Sequence, residues 1–364
     1  MNKRERKEHT GLVTSYDPTE RTMTVLNPSG NEPAENFSQE DIEHPTRVVL
    51  EIDSRCNFRC QYCSEGKNPP KFRIPKENIF SLIDEFENMK VHEITIRGGE
   101  ATQHPDFDEI WEYATSKDFL SVNLLTNGSM FDTQKVRDLL VNPRSKIVVS
   151  LDGFAEINSL YRNPGQFEMV LGWLLPILKE KPEQVTLLSV IYRQNYHEIV
   201  KFAQYLSSMG LEFFHLSPLK RLGRSEIAES NFVSHDEIND LQKGLDEITK
   251  EFPKFKPTIS CIHLEKFKGN RTSQIPVPLF NEMHFGTGVK VTPEGDVMAN
   301  RGIMFTQRFK DQYTEEACLD SLGSIYSGKS FKEIWTDSLD LRIKQGKIAN
   351  DHYDYYLGWL RTLD

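Results

Sequence analysis

The sequence predicts an α/β protein built around a parallel sheet, and three observations carry that prediction. Six short apolar runs recur between Arg47 and Pro218. Each is separated from the next by an amphipathic stretch with apolar residues three and four apart, the helical period. Several of these stretches open on Pro or Asp, and one closes on Gly210, as helix ends do. In order, the strand candidates are "RVVLEI", "EITIRG", "SVNLLTNG", "KIVVSLDG", "QVTLLSVIY" and "LEFFHLSP". Between them, "PKENIFSLIDEFENMK", "HPDFDEIWEYATS", "DTQKVRDLLVN", "QFEMVLGWLLPILKE" and "NYHEIVKFAQYLSSMG" supply the helices. Repeated βα units imply right-handed crossovers and a working face at the carboxyl ends of the strands.

Elements flank this series on both sides. Residues 1–45 are polar and hold a candidate hairpin, "GLVTSY" and "TMTVLN" around a "DPTER" turn, so they read as a β-rich extension. The βα series occupies residues 46–233. Beyond Ser234 the alternation weakens to one helix ("HDEINDLQKGLDEITKEF"), a hairpin ("GVKVTPEGDVMA") and an amphipathic "SFKEIWTDSL". Residues 234–364 therefore read as a smaller α+β unit.

Composition narrows the function. The chain has 364 residues, five cysteines and a net charge of −10. That is enough material for one large domain with additions. An odd, small cysteine count without a charged-then-apolar opening points to reduced thiols and a cytoplasmic setting. The longest apolar run, "MVLGWLLPIL", is about half of a ~20-residue span, so no membrane is expected. The acidic balance opposes nucleic acid, although "LKRLGR" around Lys220–Arg224 could hold one anionic group.

Three of the five cysteines, Cys56, Cys60 and Cys63, fall in "CNFRCQYC", directly after the first strand candidate. Thiolates are soft ligands suited to iron–sulfur clusters or zinc. Three of them leave one metal position open, whereas structural zinc takes a fourth protein ligand, and His44 and His92 lie at no usual finger spacing. The remaining reading is a chance cluster of free thiols.

With that spacing, and Tyr62 before the last cysteine, the sequence resembles the radical S-adenosylmethionine (SAM) enzymes from about Val48 to Leu219. The resemblance implies a partial (β/α)6 barrel and a [4Fe-4S] cluster on the three cysteines, with SAM filling the open iron site. It implies reductive cleavage of SAM to a 5'-deoxyadenosyl radical that takes a hydrogen atom from substrate. An outside electron donor such as flavodoxin or ferredoxin is implied too. Gly98, Gly99 and Glu100 match the family's glycine-rich turn beside the methionyl amino group; Ala101 stands where Pro is common. Thr126, Asn127, Ser150 and Asp152 sit at strand ends that face SAM in relatives, and Arg162 sits where an arginine pairs with the SAM carboxylate. The competing readings are a plain strand-to-helix turn for Gly98–Glu100, helix caps for the strand-end residues and a surface salt bridge for Arg162.

The stretch from Met283 to Trp335 resembles the SPASM/twitch extension of peptide-modifying relatives. Where those relatives carry cluster cysteines, this chain reads His284 and Asn300. Cys261 and Cys318 remain, with His263, His284 and His352 as candidate nitrogen ligands for a rebuilt cluster. The resemblance favours a peptide or peptide-like substrate; a small metabolite such as a sugar or nucleoside, or a non-catalytic binding protein, are the alternatives. Without auxiliary clusters a redox-neutral outcome, epimerisation or rearrangement, is expected, with Cys318 or Cys261 as catalytic hydrogen-atom donor, unless both are inert thiols. The amino-terminal extension, residues 1–45, could also grip a leader peptide by adding a strand.

Overall fold

A small antiparallel sheet at the amino terminus is built from β1 (Arg4–Lys7), β2 (Val13–Asp17) and β3 (Thr22–Leu26). Val13 pairs with Leu26 and Asp17 with Thr22, the expected hairpin. The computed structural model describes residues 4–17, 22–30, 42–63, 71–119, 121–219, 229–260, 275–276, 288–299, 321–343 and 345.

All six predicted strands form: β4 (Arg47–Glu51), β5 (Glu93–Arg97), β6 (Ser121–Thr126), β7 (Ser145–Ser150), β8 (Val185–Ile191) and β9 (Phe213–Pro218). They pair in chain order and all in parallel. Five predicted helices cover them: α1 (Lys76–Asn88), α2 (Phe107–Ser116), α3 (Thr133–Leu139), α5 (Gln166–Glu180) and α6 (Arg193–Ser208). A short α4 (Ala155–Tyr161) precedes α5 and is not among the predicted helices. Val48, Leu50, Ile94, Ile96, Val122 and Leu124 share one buried core with the helices. The residues between them in sequence, among them Glu51, Glu93, Thr95, Arg97 and Asn123, occupy the opposite, polar face.

Most of the described strands beyond Ser234 join this sheet. Helix α7 (His235–Glu251) leads into β10 (Lys256–Ile259), which pairs in parallel with β9, so the βα alternation runs one unit further than the sequence suggests. Strand β11 (Ile275–Pro276) adds to β3. The predicted hairpin, β12 (Gly288–Val291) and β13 (Asp296–Ala299), joins the opposite edge, β12 running parallel to β4, and β14 (Gly323–Ser324) pairs with β13. Among the described residues the sheet has ten strands, ordered β10-β9-β8-β7-β6-β5-β4-β12-β13-β14. Helix α8 (Phe331–Asp337) docks on α1 through an edge-on contact of Phe331 with Phe86. Among the described residues no helix is long and apolar enough to cross a membrane.

The amino-terminal sheet closes the end of the barrel sheet where its strands begin. Arg6 donates to the carbonyls of Pro45 (3.1 Å) and His44 (2.8 Å), just before β4, and to that of Lys90 (3.3 Å), before β5. Buried Glu8 accepts from Arg6 Nε (2.8 Å), Thr14 Oγ1 (2.9 Å) and the Glu43 amide (2.9 Å). Tyr16 stacks on His92. Removing one member of a buried ion pair leaves the other charge uncompensated. Glu8→Ala should therefore cost about 3–5 kcal/mol in urea unfolding, whereas exposed Glu5→Ala should stay within about 0.5 kcal/mol of the parent.

Candidate active site

Strand β4 ends at Glu51, and the chain runs through Ile52–Arg55 into the cysteine loop; β5 ends at Arg97 and turns at Gly98-Gly99-Glu100. These two exits are stitched together. The Gly99 amide donates to the Asp53 carbonyl and the Glu100 amide to that of Arg55, both at 2.7 Å. A Cβ on Gly98 would lie 2.2 Å from the Asp53 carbonyl oxygen, and one on Gly99 2.3 Å from that of Arg55. The obstacle is backbone, so no rotamer change relieves it. The two glycines are thus required by the approach of the cysteine loop, which the plain-turn reading does not explain.

Glu100 then ties this turn to the next strand. Its buried carboxylate accepts from Thr126 Oγ1 (2.8 Å), the Asn127 amide (2.7 Å) and Thr102 Oγ1 (2.8 Å). Burial pushes its pKa up, and these donors oppose the shift. Thr126 Oγ1 in turn accepts from the Gly128 amide. Asn127 Nδ2 donates to Asn57 Oδ1 inside the cysteine loop at 2.9 Å. On the loop's other flank the Gln61 amide donates to the Tyr161 carbonyl (2.9 Å) and the Arg59 amide to Asn163 Oδ1 (3.3 Å).

Cys56, Cys60 and Cys63 are free, half-buried thiols on this clamped loop. The Phe58 amide points at Cys56 Sγ (3.3 Å). Burial pushes the Cys56 thiol up to about 11 and raises Cys60 as well, and in both Cys63 adds to the rise. Such thiols give up their protons to a metal rather than to bulk water at neutral pH. Among the described residues no three His, Cys, Asp or Glu side chains gather around a single ion site.

Arg162 does not lie on the surface but is buried against Asp152. Its Nε meets Asp152 Oδ2 at 2.7 Å, with side-chain exposures of 7% and 0%. Burial alone would lower its pKa; Asp152, then Tyr62 and Cys60, keep it raised. Asp152 also accepts from the Tyr62 hydroxyl and from the Val190 amide (2.9 Å). This pair locks the residue before Cys63 to the end of β7. Ser150 is buried beside it, and its carbonyl accepts from Gln166 Nε2 (2.8 Å), which also reaches the Asn127 carbonyl (2.7 Å).

The structure thus brings Gly98, Gly99, Glu100, Thr126, Asn127, Ser150, Asp152 and Arg162 to the strand ends that surround the three cysteines. Cys261 and Cys318, with His263, His284, Asn300 and His352, lie outside the described residues, as does Lys220–Arg224. Asp53, Asn57 and Gln166 were missed. Asp53 is fully buried between Arg55 Nε (3.2 Å) and Arg73 Nε (2.7 Å). The first two flank cysteines, where a polar side chain able to bond to backbone was the available signal; Gln166 read only as a helix residue.

Residues 50–206 match the model of the Radical SAM superfamily. Over those residues the chain carries a radical SAM domain. Mycofactocin maturase MftC of Mycobacterium tuberculosis (strain CDC 1551 / Oshkosh) is 31% identical to this chain over 172 residues, 46% of this chain and 44% of the maturase. A probable GTP 3',8-cyclase of Saccharolobus islandicus is 24% identical over 196 residues, 53% of this chain and 62% of the cyclase. The chain thus spans less than half the length of the maturase. Among solved structures, Streptococcus suis SuiB bound to its precursor peptide SuiA superposes with a TM-score of 0.61 at 14% identity, covering 80% of this chain and 65% of SuiB. Native anSMEcpe with bound AdoMet gives 0.62 at 17% identity, covering 84% of both chains. The two solved structures share the fold. The radical SAM loop fits a cluster on the grounds above: three thiols, one receiving an amide, packed where side chains have been cleared at Gly98 and Gly99.

Two outcomes test this arrangement. Gly99→Ala should lose most iron uptake on anaerobic reconstitution, read by iron analysis, while Gly165→Ala, with open space around its Cβ, should keep it. Arg162→Ala leaves Asp152 buried without its cation and should cost about 3–5 kcal/mol of unfolding free energy, beyond any change in SAM affinity.

Proposed function

We propose that this chain holds a [4Fe-4S] cluster on Cys56, Cys60 and Cys63 and uses it to cleave SAM reductively and abstract a hydrogen atom from a peptide or peptide-like substrate. The observation that carries the reading is the clamping of a three-thiol loop against the Gly98-Gly99-Glu100 turn. The cluster and SAM, when bound, supply the one-electron chemistry, while the protein supplies position and exclusion of water. Gly98 and Gly99 leave main chain open to the methionyl end, Glu100 fixes the ends of β5 and β6, and the Asp152–Arg162 pair fixes the loop at Tyr62. The electron comes from a small donor protein of the flavodoxin or ferredoxin kind.

A peptide substrate is supported by the maturase relatives and by SuiB, whose structure holds a precursor peptide. The cyclase relative favours a second reading, a small metabolite. In either case the chain acts in a reduced, cytoplasmic setting.

Reconstituted protein should bind about four iron and four sulfide per chain, and the triple Cys56, Cys60, Cys63→Ala variant essentially none. Reduced strongly with SAM, it should release 5'-deoxyadenosine; a cluster-loaded sample that leaves SAM intact would favour the non-catalytic reading. About eight iron, with four surviving in the triple variant, would reveal a second cluster near Cys261 and Cys318.

The outcome on substrate is redox-neutral, with Cys318 or Cys261 returning a hydrogen atom. The thiyl radical left behind is restored by one electron from the donor protein and one proton. Turnover in deuterated buffer should place solvent deuterium in the product, and Cys318→Ala or Cys261→Ala should abolish that. Unlabelled product with unimpaired variants would dismiss both thiols.

A further inference from the structure

The cysteine loop is also a piece of surface. Cys56, Cys60 and Cys63 are half-buried, whereas Asn57, Arg59 and Gln61 between them are exposed. The Arg59 guanidinium is drawn back over the loop, donating through Nη1 to the carbonyls of Cys56 (2.8 Å) and Phe58 (3.0 Å). Gln61 Nε2 donates to the Leu160 carbonyl (2.9 Å), Asn57 Nδ2 to Ser129 Oγ (2.9 Å) and the Ser54 amide to the Phe72 carbonyl (3.0 Å). These bonds set three large apolar side chains at the margin of the loop, and all three meet solvent. Leu160 and Phe72 are 44% and 42% exposed, and Met130, next to Ser129, is 52% exposed. They are three of the seven large hydrophobic side chains exposed among the described residues, so apolar surface is grouped here rather than scattered.

Positive charge gathers at the same place. Residues 53–73 carry five cations, Arg55, Arg59, Lys67, Lys71 and Arg73, against two anions, Asp53 and Glu65, in a chain whose net charge is −10. Asp53 is fully buried, while Arg59 and Lys71 are exposed. The residues that border the loop, 71–73, 129–130 and 160–163, include no acidic side chain. Aromatic, Met and Arg side chains are the types enriched where proteins meet, and grouped apolar side chains rimmed by polar ones mark a partner's site. A positive patch on an acidic protein steers a negatively charged partner to that patch and repels it elsewhere. We infer that the cysteine loop, with Arg59, Lys71, Phe72, Met130 and Leu160, is the docking surface for an acidic one-electron donor protein; this rests on the cluster reading above. Redox encounters of this kind use small interfaces, which a patch of this extent provides. The docked residues and the thiols share one loop, so the path through protein is short. One electron crosses, the donor is oxidised and the cluster reduced, and no bond forms or breaks.

The experiment uses the full chain, reconstituted anaerobically, and follows bleaching of the cluster's visible absorption. Fully reduced flavodoxin, an acidic donor, is compared with photoreduced deazariboflavin, a small donor without a protein surface, and the ratio of the two rates is taken for each variant. Arg59→Glu and Lys71→Glu should each lower that ratio about tenfold at low salt, the lower end of electrostatic steering. Leu160→Glu should lower it too, by placing a negative charge in the apolar margin. High salt should bring the parent down towards these variants. Lys254→Glu, just before β10 at the opposite end of the strands and 89% exposed, should leave the ratio unchanged. Flavodoxin should also bind the immobilised, cluster-loaded variants more weakly than the parent, a readout independent of SAM. Variants that slow both donors equally would show that these side chains only hold the loop, and would overturn the docking surface. A ratio untouched by charge reversal, a parent rate insensitive to salt, or flavodoxin that fails where deazariboflavin succeeds overturns it as well and leaves the cluster reading standing. Parent protein that takes up no iron overturns the cluster reading, and the docking surface with it.

Discussion

The site depends on a backbone contact: the Gly98-Gly99-Glu100 turn pressed against Asp53–Arg55. Two hydrogen bonds at 2.7 Å join the exits of neighbouring strands, and the absence of two Cβ atoms permits them. Everything that positions the cysteines follows. Asp53, held between two arginines, sets the course of the chain into the loop. Glu100 carries the constraint across to Thr126 and Asn127, and Asn127 returns it to the loop through Asn57. A ring of short polar contacts closes around three thiols without a disulfide.

Buried carboxylates are costly unless fully paired, and this protein keeps several where its strands end. Glu100 is answered by neutral donors, Asp152 by an arginine, a phenol and an amide, Asp53 by two arginines and Glu51 by an arginine and a lysine. The partners differ from one carboxylate to the next.

The barrel was legible because βα units write their period into the sequence: all six strands and five of the helices between them followed from spacing alone. The cysteine motif and the glycine turn were legible by residue type. What stayed hidden depended on distance in space. Arg162 could be read as a surface residue because nothing in "LYRNPGQFE" shows that Asp152 will face it. Likewise β10 and β12 were read as part of a separate unit, since four-residue strands carry too little pattern to reveal which sheet they join. Gln166, whose amide bridges two strand ends, is indistinguishable in sequence from any polar residue opening a helix.

The pairing of β12 with β4 bears on how the protein is made. The strand that delivers the cysteines leaves the ribosome early, yet its outer neighbour begins only at Gly288, after the rest of the parallel series. Contacts so far apart in sequence close slowly. During synthesis β4 and Glu51 therefore pass through a stage with one side uncovered. Arrival of Lys290 then completes the cation pair on Glu51 and closes the edge beside it.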